Sequence, residues 1–199
     1  MPHLANWIRS GGSAAPPLAY CTIAVALAAA PTRSVAYGKE VWECYAETIS
    51  PEPAQLLLRI SNGTKKGTLF ATKKNGDRLI ISGDLILNDP TNATVLYGQM
   101  FCDAHDDQFV NEVIVVGRLS KEAKVSDTQK SAARSVAVNR YNDGEELTDW
   151  FRLRGYGFSM DKLVGAPKGS LVSAHGCLEQ KANRDGNPYM EIKCRSVRV

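Results

Sequence analysis

From Asn111 to Val197 the chain breaks into short runs of β-type residues in a fixed order, and that order narrows the possible folds more than anything else in it. Asn111–Leu119 (NEVIVVGRL), Ser131–Tyr141 and Asp149–Tyr156 read as three strands. The first ends in a Gly-Arg turn, and the turn-rich segment Asn142–Glu146 joins the other two. Phe158–Gly165 is short and fits about two helical turns. Gly169–Gln180 and Pro188–Val197 complete the unit as two more strands, around a loop containing Asn183–Asn187. Five short strands with one helix between the third and fourth close into a small barrel.

The β-β-β-α-β-β order is the layout of an oligonucleotide-binding (OB) barrel. Upstream, Val41–Ile49, Gln55–Ser61, Gly67–Lys73, Arg78–Leu87 and Thr94–Cys102 read as five further strands. Turn signals at Ser50-Pro51, Asn62-Gly63, Asn75-Gly76 and Asp89-Pro90 separate them, and the polar Asp103–Gln108 reads as a linker. One internal echo ties the two halves together: Asn75–Leu85 (NGDRLIISGDL) and Lys168–Leu178 (KGSLVSAHGCL) share glycines seven apart, Gly76/Gly83 and Gly169/Gly176. Glycine before and inside a bent strand lets a small barrel coil at its corner. The expected fold is all-β with one short helix: two five-stranded OB barrels in tandem, a degenerate one over residues 40–105 and a better-formed one over 111–199.

Composition bounds the function. With 199 residues, 44% hydrophobic and 23% charged, the chain is neither disordered, collagen-like nor a polytopic membrane protein. Residues 1–110 hold 9 Lys/Arg against 10 Asp/Glu, and residues 111–199 hold 15 against 11. The basic excess therefore lies in the second half, where a polyanion would be the partner. No acid precedes Glu40, and the apolar run Leu18–Ala30 is too short to span a bilayer. Residues 1–39 read as a removed or disordered leader, an organellar transit peptide or a secretory signal, with a buried first helix or a misplaced start codon as alternatives. Mitochondrion or plastid is the expected location for a transit peptide, and bacterial cytoplasm or nucleoid otherwise.

A sequence-indifferent binder of single strands needs aromatic platforms for bases and a basic groove for phosphates. On Asp149–Tyr156, the two-residue period puts Trp150, Arg152, Arg154 and Tyr156 on one face and Phe151, Leu153 and Gly155 on the other. Two unpaired arginines do not belong in a core, so this Trp-Arg-Arg-Tyr stripe reads as an outer, binding surface. The second unit also offers Tyr141, Phe158 and Tyr189. The basic candidates for phosphate contact are Arg118, Lys121, Arg134, Arg140, Arg152, Arg154, Lys168, Lys181 and Arg184.

Over 111–199 the sequence resembles the bacterial and organellar single-stranded DNA-binding protein family. NEVIVVGRL, Val136–Tyr141 (VAVNRY), Thr148–Leu153 (TDWFRL), Lys168–Leu178 and Tyr189–Val199 carry the match. The resemblance implies sequence-tolerant binding of single-stranded DNA in replication, recombination or repair, without catalysis, by a dimer or tetramer presenting four barrels. It also implies base stacking on Trp150, Tyr156 and Tyr141. The family's fourth platform would fall in Gln180–Asn183, which has no aromatic, so Lys181 and Arg184 are expected to grip backbone there. The family's usual acidic C-terminal recruiting tail is not expected here, since the sequence runs to Arg198-Val199 directly after the last strand.

No P-loop, dinucleotide fingerprint or nucleophile elbow is present, so no catalysis and no cofactor is expected. The cysteines show no CxxC spacing, and Cys102–Asp107 reads as a solvated acidic turn rather than a metal site. Two other readings stand beside the first. One is an organellar RNA-binding OB-fold protein. The other is a secreted β-sandwich module, supported by the sequons at Asn62 and Asn92.

Overall fold

The computed structural model describes residues 18–87, 89–142 and 145–199. Residues 1–17 of the expected leader and the centre of the expected Asn142–Glu146 turn lie outside them. The strands are β1 (Leu18–Leu27), β2 (Thr32–Ala36), β3 (Lys39–Thr48), β4 (Gln55–Ser61), β5 (Arg78–Ile86) and β6 (Val95–Asp103). After them come β7 (Asn111–Leu119), β8 (Lys124–Val125), β9 (Ser131–Asn142), β10 (Glu145–Tyr156), β11 (Leu171–Ala182) and β12 (Pro188–Arg198). Helix α1 (Lys65–Phe70) lies between β4 and β5, and α2 (Phe158–Gly165) between β10 and β11. Neither is long and apolar enough to cross a membrane.

Both halves close with the same connectivity. In the second, β7 pairs with β9 and β11, β9 with β10, β11 with β12, and β10 runs parallel to β12. In the first, β1 pairs with β3 and β5, β3 with β4, β5 with β6, and β4 runs parallel to β6. Each is a five-stranded barrel in the OB order, which excludes the β-sandwich alternative. Strands β1 and β7 pair antiparallel, from Leu18↔Val116 to Ile23↔Asn111, and fuse the barrels edge to edge. One apolar cluster runs through both, including Ile23, Leu56, Leu79 and Phe70 in the first and Val113, Phe151, Leu153 and Leu163 in the second.

The glycine echo marks equivalent corners. Gly76 and Gly169 have positive φ, +86° and +85°, which only glycine adopts without strain. Gly83 and Gly176 each sit at a break in strand register, where the next strand's backbone crosses so closely that a Cβ would collide with the carbonyl oxygen of Tyr97 or Lys193.

Three expectations need correction. The leader does not extend over 18–39: Leu18–Leu27 is the first barrel's central strand, and Thr32–Ala36 forms a hairpin with β3. Gly67–Lys73 is not a strand; it overlaps α1, which Thr64 caps by accepting from the Gly67 N–H at 2.9 Å and whose Phe70 closes the barrel end. The fifth strand of the first barrel is β1 instead. Gly117-Arg118 does not turn but continues β7, and Gly117 lets the Ala137 carbonyl of β9 approach.

Candidate functional site

The stripe on β10 forms as its periodicity requires. Phe151, Leu153 and Gly155 are buried, while Trp150 is 55% exposed and Tyr156 46%. Arg152 and Arg154 lie between them on the outer face. The antiparallel register with β9 sets Ala137 beside Trp150 and Ser135 beside Arg152, so small side chains leave the face flat. Tyr141, 71% exposed, stands on the same face farther along β9, opposite Glu146. At ~3.3 Å per residue, Trp150 to Tyr156 spans about 20 Å.

Strand β12 supplies the rest of the surface. Its parallel register with β10 pairs Arg154 with Lys193 and places Glu191 beside both arginines. The Glu191 carboxylate, 1% exposed, accepts from Arg152 Nε at 2.9 Å and Arg154 Nε at 2.6 Å. The Arg154 guanidinium also donates to the Ser131 hydroxyl at 3.1 Å, and Glu191 makes it still harder to deprotonate. The Arg152 guanidinium lies 5.0 Å from the Tyr189 ring centre, and Lys193 Nζ 5.9 Å from that of Tyr156. The face therefore alternates aromatic and cationic groups over one buried carboxylate that fixes the arginines. Of these β12 residues the sequence singles out only Tyr189; Glu191 and Lys193 follow it at i+2 and i+4, a spacing that puts all three on one face.

The other basic candidates divide. Arg118, Lys121 and Lys168 are exposed at the end of the second barrel where β7 finishes and β11 begins, with Arg118 Nη1 donating to the Gly169 carbonyl at 3.0 Å. Arg184 is exposed on the β11–β12 hairpin. Three candidates are turned inward or tied up. Arg134, only 2% exposed, points under α2, where Nη1 donates to the Leu163 and Ala166 carbonyls at 2.6 Å each and Nε to the Lys121 carbonyl at 2.7 Å. It satisfies helix-end carbonyls and is not available to phosphate. Arg134 and Arg140 occupy even positions on β9, opposite in parity to Tyr141, so the two-residue period turns both away from the face that carries Tyr141.

Arg140 belongs to a network joining the barrels. Its Nε pairs with Asp149 Oδ2 at 2.8 Å, and its Nη2 donates to the Tyr37 hydroxyl at 3.4 Å. Tyr37 lies at the tip of the β2–β3 hairpin, where Tyr37-Gly38 both have positive φ, as a type I′ turn requires. Its hydroxyl donates to Asp89 Oδ2 at 2.7 Å, and Asp89 is also held by Arg59 Nη1 at 2.5 Å and by the Thr91 hydroxyl and N–H. Burial alone would raise the Asp89 carboxyl, but these donors overcome it and hold it at about 2. Lys181 is the third candidate set aside: it pairs with Glu52 of the first barrel and with Glu179, while its neighbour Gln180 accepts from the Gln55 N–H at 3.0 Å. Thus the hairpin expected to grip a nucleic-acid backbone grips the other barrel.

The Cys102–Asp107 segment is a charged turn in which Asp103 pairs with Lys73 and Asp106 with Arg78. Among the described residues, no group of three or more His, Cys, Asp or Glu is arranged to hold a metal ion.

No protein-family model matches the sequence, and no curated protein sequence matches it. Solved structures do. The wild-type single-stranded DNA-binding protein from Thermus aquaticus superimposes with a TM-score of 0.66 at 12% identity, covering 92% of this chain and 93% of that one. A deletion mutant of the same protein gives 0.66 and 12% over 93% and 95%. The match extends across both halves, so the first barrel, barely legible in sequence, is shared as well as the second. The chain is a tandem of two OB barrels, in an architecture also found in that single-stranded DNA-binding protein.

Proposed function

We propose that the chain binds single-stranded DNA without regard to sequence and performs no catalysis. The observation that carries this reading is the outer face of β10 and β12, where Trp150 and Tyr156 flank Arg152 and Arg154 above the buried Glu191. Unstacked bases present flat faces to such aromatics, each worth ~1–3 kcal/mol, and the guanidiniums neutralise intervening phosphates. Tyr141 extends the path along β9, and Arg118, Lys121, Lys168 and Arg184 are among the exposed cations around the barrel that could take backbone. The fold shared with the Thermus aquaticus protein supports the same reading. Protection of single strands in replication, recombination or repair is the corresponding role.

We also read the chain as self-associating. The joined β1–β7 sheet leaves Leu18 and Ile114 exposed, beside Val116 and Tyr20 in the register.

The test is retention of a labelled oligo-dT strand by the intact chain. Binding should occur at low salt and weaken as salt rises, because each phosphate contact releases counterions. DNA and RNA competitors in the same assay identify the preferred backbone. No retention at low salt overturns the proposal.

A further inference from the structure

We propose that nucleic acid occupies only the second barrel of each chain, and that the first barrel's equivalent face is closed by its own side chains. This rests on the binding reading above and names where the strand does not go.

The bulge glycines put the two faces in one frame. Gly83 pairs with Gly98 and Gly176 with Cys194, while Arg59 pairs with Tyr97 and Arg154 with Lys193. Each arginine thus faces the residue one before the bulge partner, so Arg59 and Arg154 are equivalent. Carried along the strands, this frame sets Trp150, Arg152, Arg154 and Tyr156 against Gln55, Leu57, Arg59 and Ser61. Both stacking platforms are replaced by non-aromatic polar residues, Gln55 and Ser61, and one of the two arginines by leucine.

The remaining chemistry runs the same way. Leu57 is buried against Ile86 and Val95, so an apolar contact fills the place where Arg152 meets solvent. Arg59 is buried between two carboxylates, Glu43 at 3.1 Å and Asp89 at 2.5 Å, and Glu47 lies beside Gln55 in the register. In the second barrel, by contrast, two arginines share the one carboxylate of Glu191. A phosphate approaching Arg59 would have to displace the Asp89 carboxylate, which already takes four hydrogen bonds and ties the barrels together through Tyr37. Exposed groups beside this face include Tyr45 on β3 and the lysines of α1, Lys65 and Lys66.

The experiment compares the intact chain with two variants in an oligo-dT titration, with circular dichroism confirming that each is folded. Tyr45→Ala/Lys65→Ala/Lys66→Ala removes an exposed ring and two exposed cations beside the first barrel's equivalent face. Trp150→Ala/Tyr156→Ala removes the platforms of the second. All five side chains are exposed, so folding is preserved. The first variant should bind within about twofold of the parent, and the second about thirtyfold more weakly or worse. Loss of about tenfold or more in the first-barrel variant overturns this inference while leaving single-strand binding intact. Near-parent binding by the Trp150/Tyr156 variant overturns it as well, because the strand is then held elsewhere. A parent chain that binds no oligo-dT overturns the functional reading and this inference with it.

Discussion

Arg59 and Arg154 hold the same position in the two barrels but meet opposite charge balances: Arg59 lies between Glu43 and Asp89, whereas Arg154 shares Glu191 with Arg152. One duplicated arginine therefore closes a face, and the other is kept extended on an open one. The difference comes from single residues around a backbone frame that the two barrels share, and it bears on stability and binding separately.

Glu191→Gln tests the role of the shared carboxylate. It weakens two charge-assisted hydrogen bonds made by a buried group, and stability should fall by about 2 kcal/mol, seen as a lower Tm. At the same time the groove loses a negative charge, so oligo-dT affinity at low salt should rise severalfold. Weaker binding at unchanged Tm would show that Glu191 acts on the strand and not on the arginines.

Arg134→Ala should unfold the second barrel more readily without touching binding by the molecules that remain folded. It deletes two hydrogen bonds to carbonyls at the end of α2 and one to the Lys121 carbonyl and leaves a cavity, costing about 3 kcal/mol or more. Arg134→Lys should recover little, since an ammonium cannot reproduce the forked geometry. Denaturant melts and Kd at a temperature where the variant is folded separate the two effects.

Asp89 makes stability depend on pH in a defined window. Its carboxyl titrates at about 2 in the folded chain against 3.8 when free, so its contribution is complete above about pH 4 and is lost as pH falls through 2. Thermal melts should show Tm dropping between pH 4 and pH 2. Asp89→Asn should cost about 2 kcal/mol at neutral pH and flatten the profile in that window. An unchanged slope in the variant would remove Asp89 from the account.

Gly83→Ala and Gly176→Ala should destabilise their barrels to a similar degree, because each new Cβ meets a carbonyl oxygen of the neighbouring strand. Ala at Gly165, where a Cβ meets nothing, is the control and should be nearly neutral. Expression level and Tm of the three variants check this.

What the sequence disclosed follows physical range. The alternation of β10 was legible because each residue's face depends only on its neighbours, and burial follows it from Trp150 to Tyr156. The echo around Gly83 and Gly176 was legible because a close backbone approach admits only one residue type. Strand β1 reads as a leader in the sequence because Ile23, Ala24 and Val25 are all fully buried, so this central strand is a continuous apolar run rather than an alternating one. Helix α1, six residues long and containing Gly67 and Thr68, is too short to show a helical period. The fates of Arg140 and Lys181 depend on partners 103 and 129 residues away, Tyr37 and Glu52, which no local pattern encodes.

The central claim is that a single strand stacks on Trp150. Tryptophan fluorescence during an oligo-dT titration reads this directly, in a Trp7→Phe background that leaves Trp42 on the first barrel and Trp150 on the second. Emission should be quenched on binding. With the further change Trp150→Phe, the strand should still be retained at low salt but the quenching should vanish, since Trp42 lies on the closed barrel. Binding without quenching in the parent background, or quenching that survives Trp150→Phe, would contradict the account.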